Sequence, residues 1–328
     1  MYIQNEDMDL ILEENELILN SLNDTRIFIT GATGFMGSWI TETLCHAYRE
    51  LGVRAHITLM VRAMPKNPCF DVFHYVVKDL RDVNAWSSFG EYDFVLHLAN
   101  YQNPEPLEAF RVNTQGMDGL LDYFVERCST FLFMSSGAVY KQTIPETTQE
   151  NIFLGAPPVP STARDSYRAS KMVCEYMMMQ EVIPYKAKMI TVRPFTFYGP
   201  GLNGNFAILH FIANARLGNN IQVKSKNTLR SYMYPTDLVK WILTIMFRCN
   251  QDAKFNIGHP QAYTLEEVAN GLASLYKVAV ETNPIQQIAP DYVPNVHEAS
   301  RTFGLSNTIS LEEGLRRWKK YQNLYGSF

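Results

Sequence analysis

Residues 25–40 read TRIFITGATGFMGSWI: a short apolar run, three glycines at three-residue intervals, and the opening of a helical stripe. Ile27, Phe28 and Ile29 are an unbroken apolar run, the pattern of a strand covered on both faces of a parallel sheet. Gly31, Gly34 and Gly37 follow, and Met36, Ile40, Leu44, Ala47 and Leu51 then recur at three and four residues, the core stripe of an amphipathic helix ending near Gly52. A strand, a glycine turn and a helix in that order form a phosphate cradle. The glycines let backbone N–H groups approach a pyrophosphate, and the positive end of the helix dipole points at it. An isolated glycine triplet is equally an ordinary turn; the flanking strand and helix give this one its ligand-binding reading.

The rest of the chain continues the alternation. Strands are predicted at 56–61, 75–77, 93–98, 130–134 and 188–192, with one helix carrying Phe110, Leu120, Leu121 and Phe124 and another over 165–181. This rhythm predicts an α/β fold, a doubly wound parallel sheet with helices on both faces. Beyond Arg193 it gives way to loops rich in Gly, Asn and Pro, then to two helices announced by capping boxes, Thr264 with Glu267 and Ser310 with Glu313. The expected organisation is a dinucleotide-binding domain over 24–195 plus 234–258 and a smaller mixed α/β substrate lobe over 196–233 plus 259–328. Residues 1–23 carry Met8, Ile11, Leu12, Leu17 and Leu22 at helical spacing and are expected to form an added helix on the surface or against a subunit.

Composition narrows the class. The 328 residues are 46% hydrophobic and 19% charged with a net charge of -4, and they contain no block of lysine or arginine to grip a nucleic-acid backbone. No apolar run of about 18 residues and no secretory pattern is present, which predicts a cytoplasmic protein without a membrane partner. The five cysteines are scattered without a CxxC pair, so they read as buried thiols in a reducing compartment and no metal site is expected.

Two further segments carry chemistry. In SYRASK, Tyr167 and Lys171 are four residues apart and share a helical face. An ammonium beside a phenol favours the phenolate, so Lys171 is expected to lower the pKa of Tyr167 and fit it for general acid–base work near neutrality. Ser135-Ser136-Gly137-Ala138-Val139-Tyr140 follows the fifth strand, at the sheet edge where open α/β folds place ligand chemistry; a serine there can hydrogen-bond a substrate hydroxyl.

Together these segments resemble the extended short-chain dehydrogenase/reductase family, specifically its nucleotide-sugar epimerase, dehydratase and reductase branch. TGxxGxxG is Thr30 to Gly37, HxA is His97-Leu98-Ala99, NxxG starts at Asn113, SSxxVY ends at Tyr140, and YxxxK is Tyr167 to Lys171. RPFTFYGPG from Arg193, RSYMYPTDL from Arg230 and SLEEGLRR from Ser310 also match family segments. The resemblance implies a Rossmann sheet, NAD or NADP as cofactor, a nucleotide-diphosphate sugar as substrate, and a homodimer. It implies Ser136, Tyr167 and Lys171 as catalytic residues, with Asn113 supporting the lysine. For the cofactor it implies Gly31, Thr33, Gly34, Phe35, Met36, Gly37, Leu98, Ala99, Asn113, Tyr167 and Lys171, with Asp79 and Leu80 flanking the adenine. For the substrate it implies Ser136, Gly137, Thr196, Asn205 and Arg230, the last holding the pyrophosphate. The implied activity is hydride transfer at C4 of the sugar, by a C4 epimerase or a 4-ketoreductase.

Three departures from the family pattern refine that expectation. Dehydratases and decarboxylases of the branch carry an acidic residue before Val-Tyr of the serine motif, where this chain has Gly137-Ala138; a 4,6-dehydratase or decarboxylase would need a carboxylate from elsewhere. The second strand ends in Arg62 where NAD-binding members place an acid, and Arg62, with Lys66, suits a 2′-phosphate. Thr196 stands where many relatives place an asparagine. The alternative of another class is a non-catalytic NAD(P)-sensing protein, but relatives of that kind usually lose the tyrosine or the lysine, and this chain keeps both.

Overall fold

The apolar run at 27–29 lies within β1 (Arg26–Thr30), an interior strand of the main sheet in a computed structural model of the chain. The structure describes residues 3, 5–82, 89–141, 143, 148–150, 154–179, 186–225, 227–282 and 290–325. In chain order the elements are α1 (Asn5–Asn20), β1, α2 (Phe35–Glu50), β2 (His56–Val61), β3 (Phe73–Val77), β4 (Tyr92–His97), α3 (Pro106–Phe124), β5 (Cys128–Met134), α4 (Ala163–Met178) and β6 (Lys188–Pro194). There follow α5 (Ala207–Arg216), β7 (Ile221–Val223), β8 (Leu229–Ser231), α6 (Pro235–Arg248), β9 (Ala253–Ile257), β10 (Ala262–Thr264), α7 (Leu265–Tyr276), β11 (Val280–Thr282), α8 (His297–Phe303) and α9 (Leu311–Tyr325). The helix expected over 165–181 is α4, and its expected end at Glu181 lies outside the described residues.

Among the described residues the main sheet has seven parallel strands in the order β3-β2-β1-β4-β5-β6-β9. Alternation along β1 explains why its three central residues are all apolar. Ile27 and Ile29 pack on one face with Trp39 and Ile40 of α2 and Trp241 and Ile242 of α6, whereas Phe28 packs on the other with Leu120 and Phe124 of α3. The strand order reverses between β1 and β4, and it is beside such a reversal that doubly wound sheets open a crevice for a ligand. β9 completes the sheet as a seventh strand that periodicity does not single out, because α6 before it is apolar nearly all round and AKFNI is short.

The helix expected over 1–23 is α1, seated on the core by one face while Leu17 of its expected stripe is 88% exposed. Ile11 and Leu19 are fully buried in the same cluster as α2 and α6. Asp7, also buried, accepts hydrogen bonds from Arg317 Nη1 (2.7 Å) and Tyr234 (3.0 Å), tying α1 to α9 at the far end of the chain. A separate apolar cluster gathers Tyr198, Phe211, Tyr232, Leu272 and Trp318, flanked by the small β8/β10 and β7/β11 sheets. The Thr264–Glu267 box forms in full. At Ser310 only half forms: Ser310 Oγ accepts from the Glu313 N–H (3.2 Å), but the Glu313 carboxylate is taken by Arg316 and Arg317. The cysteines are free thiols, yet Cys45 and Cys69 Sγ approach to 3.1 Å although their sequence spacing suggests no pair. No helix among the described residues is long and apolar enough to cross a membrane.

Candidate active site

The site begins at the glycine turn between β1 and α2. Gly31 has φ 73°, and a Cβ there would lie 2.5 Å from the Ala99 nitrogen; one on Gly37 would lie 2.2 Å from the Gly31 oxygen. These two glycines are demanded by the turn's own packing against the end of β4. Gly34 differs: a Cβ would meet only the Gly31 oxygen, at 3.3 Å, and Gly34 and Thr33 are exposed. As the N-cap of α2, Gly34 offers no side-chain acceptor, so the first N–H groups of the helix are left for an anion from outside. Phe35 and Met36 are half-buried, Phe35 stacked on Phe197 with centroids 5.0 Å apart.

Across the crevice, the Leu98 N–H donates to the Thr30 carbonyl (3.2 Å) and the Ala99 N–H to Thr30 Oγ1 (3.3 Å), locking the two strand ends together. His97 Nδ1 is 2.7 Å from the same hydroxyl; burial, and secondarily the charge of Lys171, holds its pKa down near 3, so it is a neutral structural imidazole. Arg62 is exposed at the end of β2. Asp79 is engaged by Arg81 (2.9 Å), whose hydrogen bond holds the carboxyl below its ordinary range. Leu80 points its side chain into the core beside Gly116, so only its backbone remains for an adenine.

Asn113, expected to support the lysine, is bonded by its amide to backbone groups. Its Oδ1 accepts from the Tyr101 N–H (2.8 Å) and its Nδ2 donates to the Tyr101 and Ala109 carbonyls (2.9 and 2.8 Å), which fastens the loop after β4 to α3. That loop walls a cleft of about 470 Å³ lined by Asn100, Tyr101, Asn103, Asn113, Ser166 and Tyr167. Asn100 follows directly on the HxA segment, and its buried Oδ1 has no hydrogen-bond partner in the structure. The uncapped helix start and this orphaned acceptor, both beside the crevice, fit a dinucleotide with phosphates at the turn.

Ser136, Tyr167 and Lys171 converge at the end of β5. The Lys171 ammonium donates to the Met134 carbonyl (2.8 Å) and sits 4.8 Å from the Phe133 ring centroid; burial lowers its pKa to about 8, against the opposing pull of Cys174 and Glu175. Ser136 Oγ accepts from the Ala138 N–H (3.1 Å), and its hydroxyl is close enough to the Tyr167 phenol to act on its ionisation. The expected lowering of the Tyr167 pKa is not what this arrangement produces. Burial raises it, the Ser136 hydrogen bond only moderates the rise, and the ammonium is turned to Met134, 5.8 Å from the Tyr167 ring centroid. A four-residue spacing brings the two side chains to one face without setting the direction of the ammonium.

A residue without a sequence signal completes the cluster. Tyr292, from the segment between β11 and α8, packs its ring on Phe195 at 4.6 Å and sets its hydroxyl against Gly137. Gly137 is buried beneath both rings. Of the other expected substrate residues, Thr196 is half-buried with its carbonyl accepting from the Met233 N–H (3.0 Å), and Asn205 is exposed and bonded to His210 (2.6 Å). Arg230 donates to the Leu229 and Pro290 carbonyls (2.9 and 2.6 Å), leaving its charge without a carboxylate among these contacts. Among the described residues no three His, Cys, Asp or Glu side chains gather as metal ligands.

The NAD dependent epimerase/dehydratase family model matches residues 27–258. UDP-glucuronic acid decarboxylase 6 of Arabidopsis thaliana is 25% identical over 309 residues, 89% of this chain and 87% of that one. GDP-6-deoxy-D-mannose reductase of Pseudomonas aeruginosa is 26% identical over 269 residues, 78% of this chain and 82% of the other. In fold, the chain is similar to UDP-glucose 4-epimerase of Thermus thermophilus in complex with NAD, with a TM-score of 0.70 at 21% identity, covering 91% of this chain and 99% of that one.

Proposed function

Because the chain belongs to the NAD-dependent epimerase/dehydratase family, we propose that it is an NAD(P)-dependent enzyme transferring hydride at C4 of a nucleotide-linked sugar, as a C4 epimerase or a 4-ketoreductase. The observation that carries this reading is the gathering of Ser136, Tyr167 and Lys171 at the end of β5, with Lys171 pinned on the Met134 carbonyl and 5.8 Å from the Tyr167 ring centroid. Ser136 and Tyr167 bind the C4 oxygen, and Tyr167 gives or takes its proton. Arg230, whose guanidinium donates to backbone carbonyls and to no carboxylate among the described residues, takes the diphosphate. A nicotinamide dinucleotide along Gly31 to Gly37, Leu98 to Asn100 and the cleft by Asn113 supplies the hydride acceptor and donor. A cytoplasmic homodimer pairing α3 and α4 belongs to the same reading.

The acidic group that would work at C5 is missing here. Gly137 and Ala138 carry no acid, and among the described residues no carboxylate acts on Tyr167 beside burial and the Ser136 hydroxyl. That favours epimerisation or reduction over elimination. The similarity to a decarboxylase supports the second reading, a dehydratase or decarboxylase. The test offers the purified protein UDP-glucose, UDP-galactose, UDP-glucuronate and a GDP-4-keto-6-deoxyhexose, each with NAD+ or NADPH, and identifies products by mass spectrometry and chromatography. Inversion at C4 or reduction of the keto sugar supports the first reading. Loss of water or carbon dioxide selects the second, and no turnover of any of them overturns both.

Arg62 decides the cofactor. With no acid ending β2 and Asp79 occupied by Arg81, the exposed guanidinium is free to take a 2′-phosphate. Arg62→Ala is expected to weaken NADPH binding by about tenfold to a hundredfold, the loss of a charge-assisted hydrogen bond, and to leave NADH binding unchanged. Fluorescence titration of both reduced cofactors checks this; equal weakening of the two would remove Arg62 from cofactor selection.

A further inference from the structure

Cys45 and Cys69 are 24 positions apart in the chain, yet their sulfurs stand 3.1 Å from each other. That leaves about 1 Å to close to the length of a disulfide bond, about 2.05 Å. Cys45 lies on the buried face of α2, 4% exposed, in the apolar cluster shared with β1 and β2. Cys69 belongs to the segment between β2 and β3 and is half-buried. The local backbone fixes it there: its N–H donates to the Tyr75 hydroxyl (3.0 Å), and its carbonyl accepts from the Val72 and Phe73 N–H groups (3.2 and 2.9 Å). Tyr75 and Phe73 are both in β3, and Phe73 is buried in the same cluster as Cys45. The contact between the sulfurs is therefore held from both sides.

The two thiols have unlike surroundings. Burial pushes Cys45 up to about 12, so it keeps its proton and is a poor first nucleophile. Cys69 is the sulfur that solvent reaches, and Arg49 Nη2, one turn after Cys45 on α2, comes within 3.8 Å of it. A guanidinium there places positive charge where negative charge moves when the sulfur is oxidised. An accessible sulfur with a second thiol in contact is the arrangement in which a sulfenic acid is captured before it is oxidised further.

We propose that Cys45 and Cys69 are a peroxide-responsive dithiol, Cys69 being the sulfur oxidised and Cys45 the thiol that resolves it to a disulfide. The Cys69 sulfur, giving up its proton, attacks one oxygen of hydrogen peroxide; the O–O bond breaks, and the departing hydroxide takes that proton and leaves as water. Cys69 is then a sulfenic acid. The Cys45 sulfur attacks the Cys69 sulfur, the S–O bond breaks, and the hydroxide leaves as water with the Cys45 proton. Two thiols are oxidised to one disulfide and the peroxide is reduced to two waters. The bond fastens the β2–β3 segment, which starts at Arg62, to the helix that starts at the glycine turn, and a dithiol reductant restores both thiols. Ser136, Tyr167 and Lys171 take no part, so the inference stands whichever reaction the site performs.

The test treats the full chain with hydrogen peroxide, blocks the remaining thiols with iodoacetamide in denaturant and maps tryptic peptides by mass spectrometry. Trypsin releases residues 27–49 and 67–78, which carry Cys45 and Cys69 as their only cysteines. The expected result is that these two peptides are found linked, lighter by two hydrogens than their sum, and that dithiothreitol before digestion separates them. In Cys45→Ser, Cys69 is expected to reach sulfinic and sulfonic acid about tenfold faster than in the wild type, because nothing captures the sulfenic acid. In Cys69→Ser, Cys45 is expected to remain an alkylable thiol. If thermal melting shows Cys45→Ser to be unfolded, Cys45→Ala, which puts no hydroxyl in the apolar cluster, takes its place. Absence of the linked pair in peroxide-treated wild type, or over-oxidation of Cys69 at the same rate with and without Cys45, overturns the inference. Oxidation of Cys45 in Cys69→Ser as fast as that of Cys69 in the wild type overturns the assignment of the attacked sulfur.

Discussion

Tyr167→Phe is expected to lower kcat for the accepted sugar nucleotide by about 10²–10⁴-fold, the contribution of a positioned general acid–base group, with KM nearly unchanged. The substitution removes one oxygen. The half-buried ring keeps its place on α4, and Lys171 keeps its bond to Met134, so the loss falls on proton transfer and not on the fold. The pH dependence has a definite sign. Burial raises the Tyr167 pKa in the free protein, so the phenolate that accepts a proton during sugar oxidation is scarce at neutrality, and oxidation quickens as pH rises. Reduction of a keto sugar needs the protonated phenol and has the opposite dependence. Both pH limbs assigned to Tyr167 vanish in the Phe variant. Steady-state kinetics in each direction over a range of pH measures this, and a variant within about tenfold of the wild type would leave some other group moving the proton.

Much of this site is legible in the sequence because the chemistry is carried by short local segments. The run from Ile27 to Gly37 encodes a strand, a turn and a helix start, and spacing alone places Tyr167 beside Lys171. What depends on distant partners is not legible. Tyr292 is brought against Gly137 by hydrogen bonds to β8, more than 60 residues earlier in the chain. The family motif marks Asn113 as a support of the lysine, and the backbone partner of its amide, at Tyr101, is one that only the loop geometry supplies. The helical stripe of α1 is visible, but not its cover, since α6 and α9 come from the other end of the chain. Gly137 shows the same limit from the other side: its missing acid is legible, whereas the two rings that leave no room for one are not.

Arg193→Met is expected to destabilise the protein by about 3–5 kcal/mol, because it leaves a buried carboxylate without its partner. Arg193 and Glu175 side chains are each 1% exposed and meet in a bidentate pair, Nε to Oε1 at 2.9 Å and Nη2 to Oε2 at 2.6 Å. Arg193 Nη1 also donates to the Tyr140 hydroxyl (2.7 Å) and the Glu150 carbonyl (3.1 Å), and Ser135 Oγ donates to Glu175. Burial works against the guanidinium charge, and the Glu175 carboxylate more than offsets it, so the Arg193 pKa is raised. The pair costs desolvation to form, and that is why removing both charges is milder than removing one. Arg193→Met with Glu175→Leu should therefore recover most of the loss, while Glu175 with Met opposite must be buried unpaired or drag water inward. Chemical denaturation of the three proteins measures the cycle; a loss below about 1 kcal/mol in the single variant would mean that water already reaches the pair. The consequence extends to the site, since Ser135 precedes Ser136 and Glu175 lies one helical turn after Lys171. The ion pair thus joins β6 to the two segments that hold the serine and the lysine, and losing it should disturb the Ser136–Tyr167 geometry before the rest of the sheet.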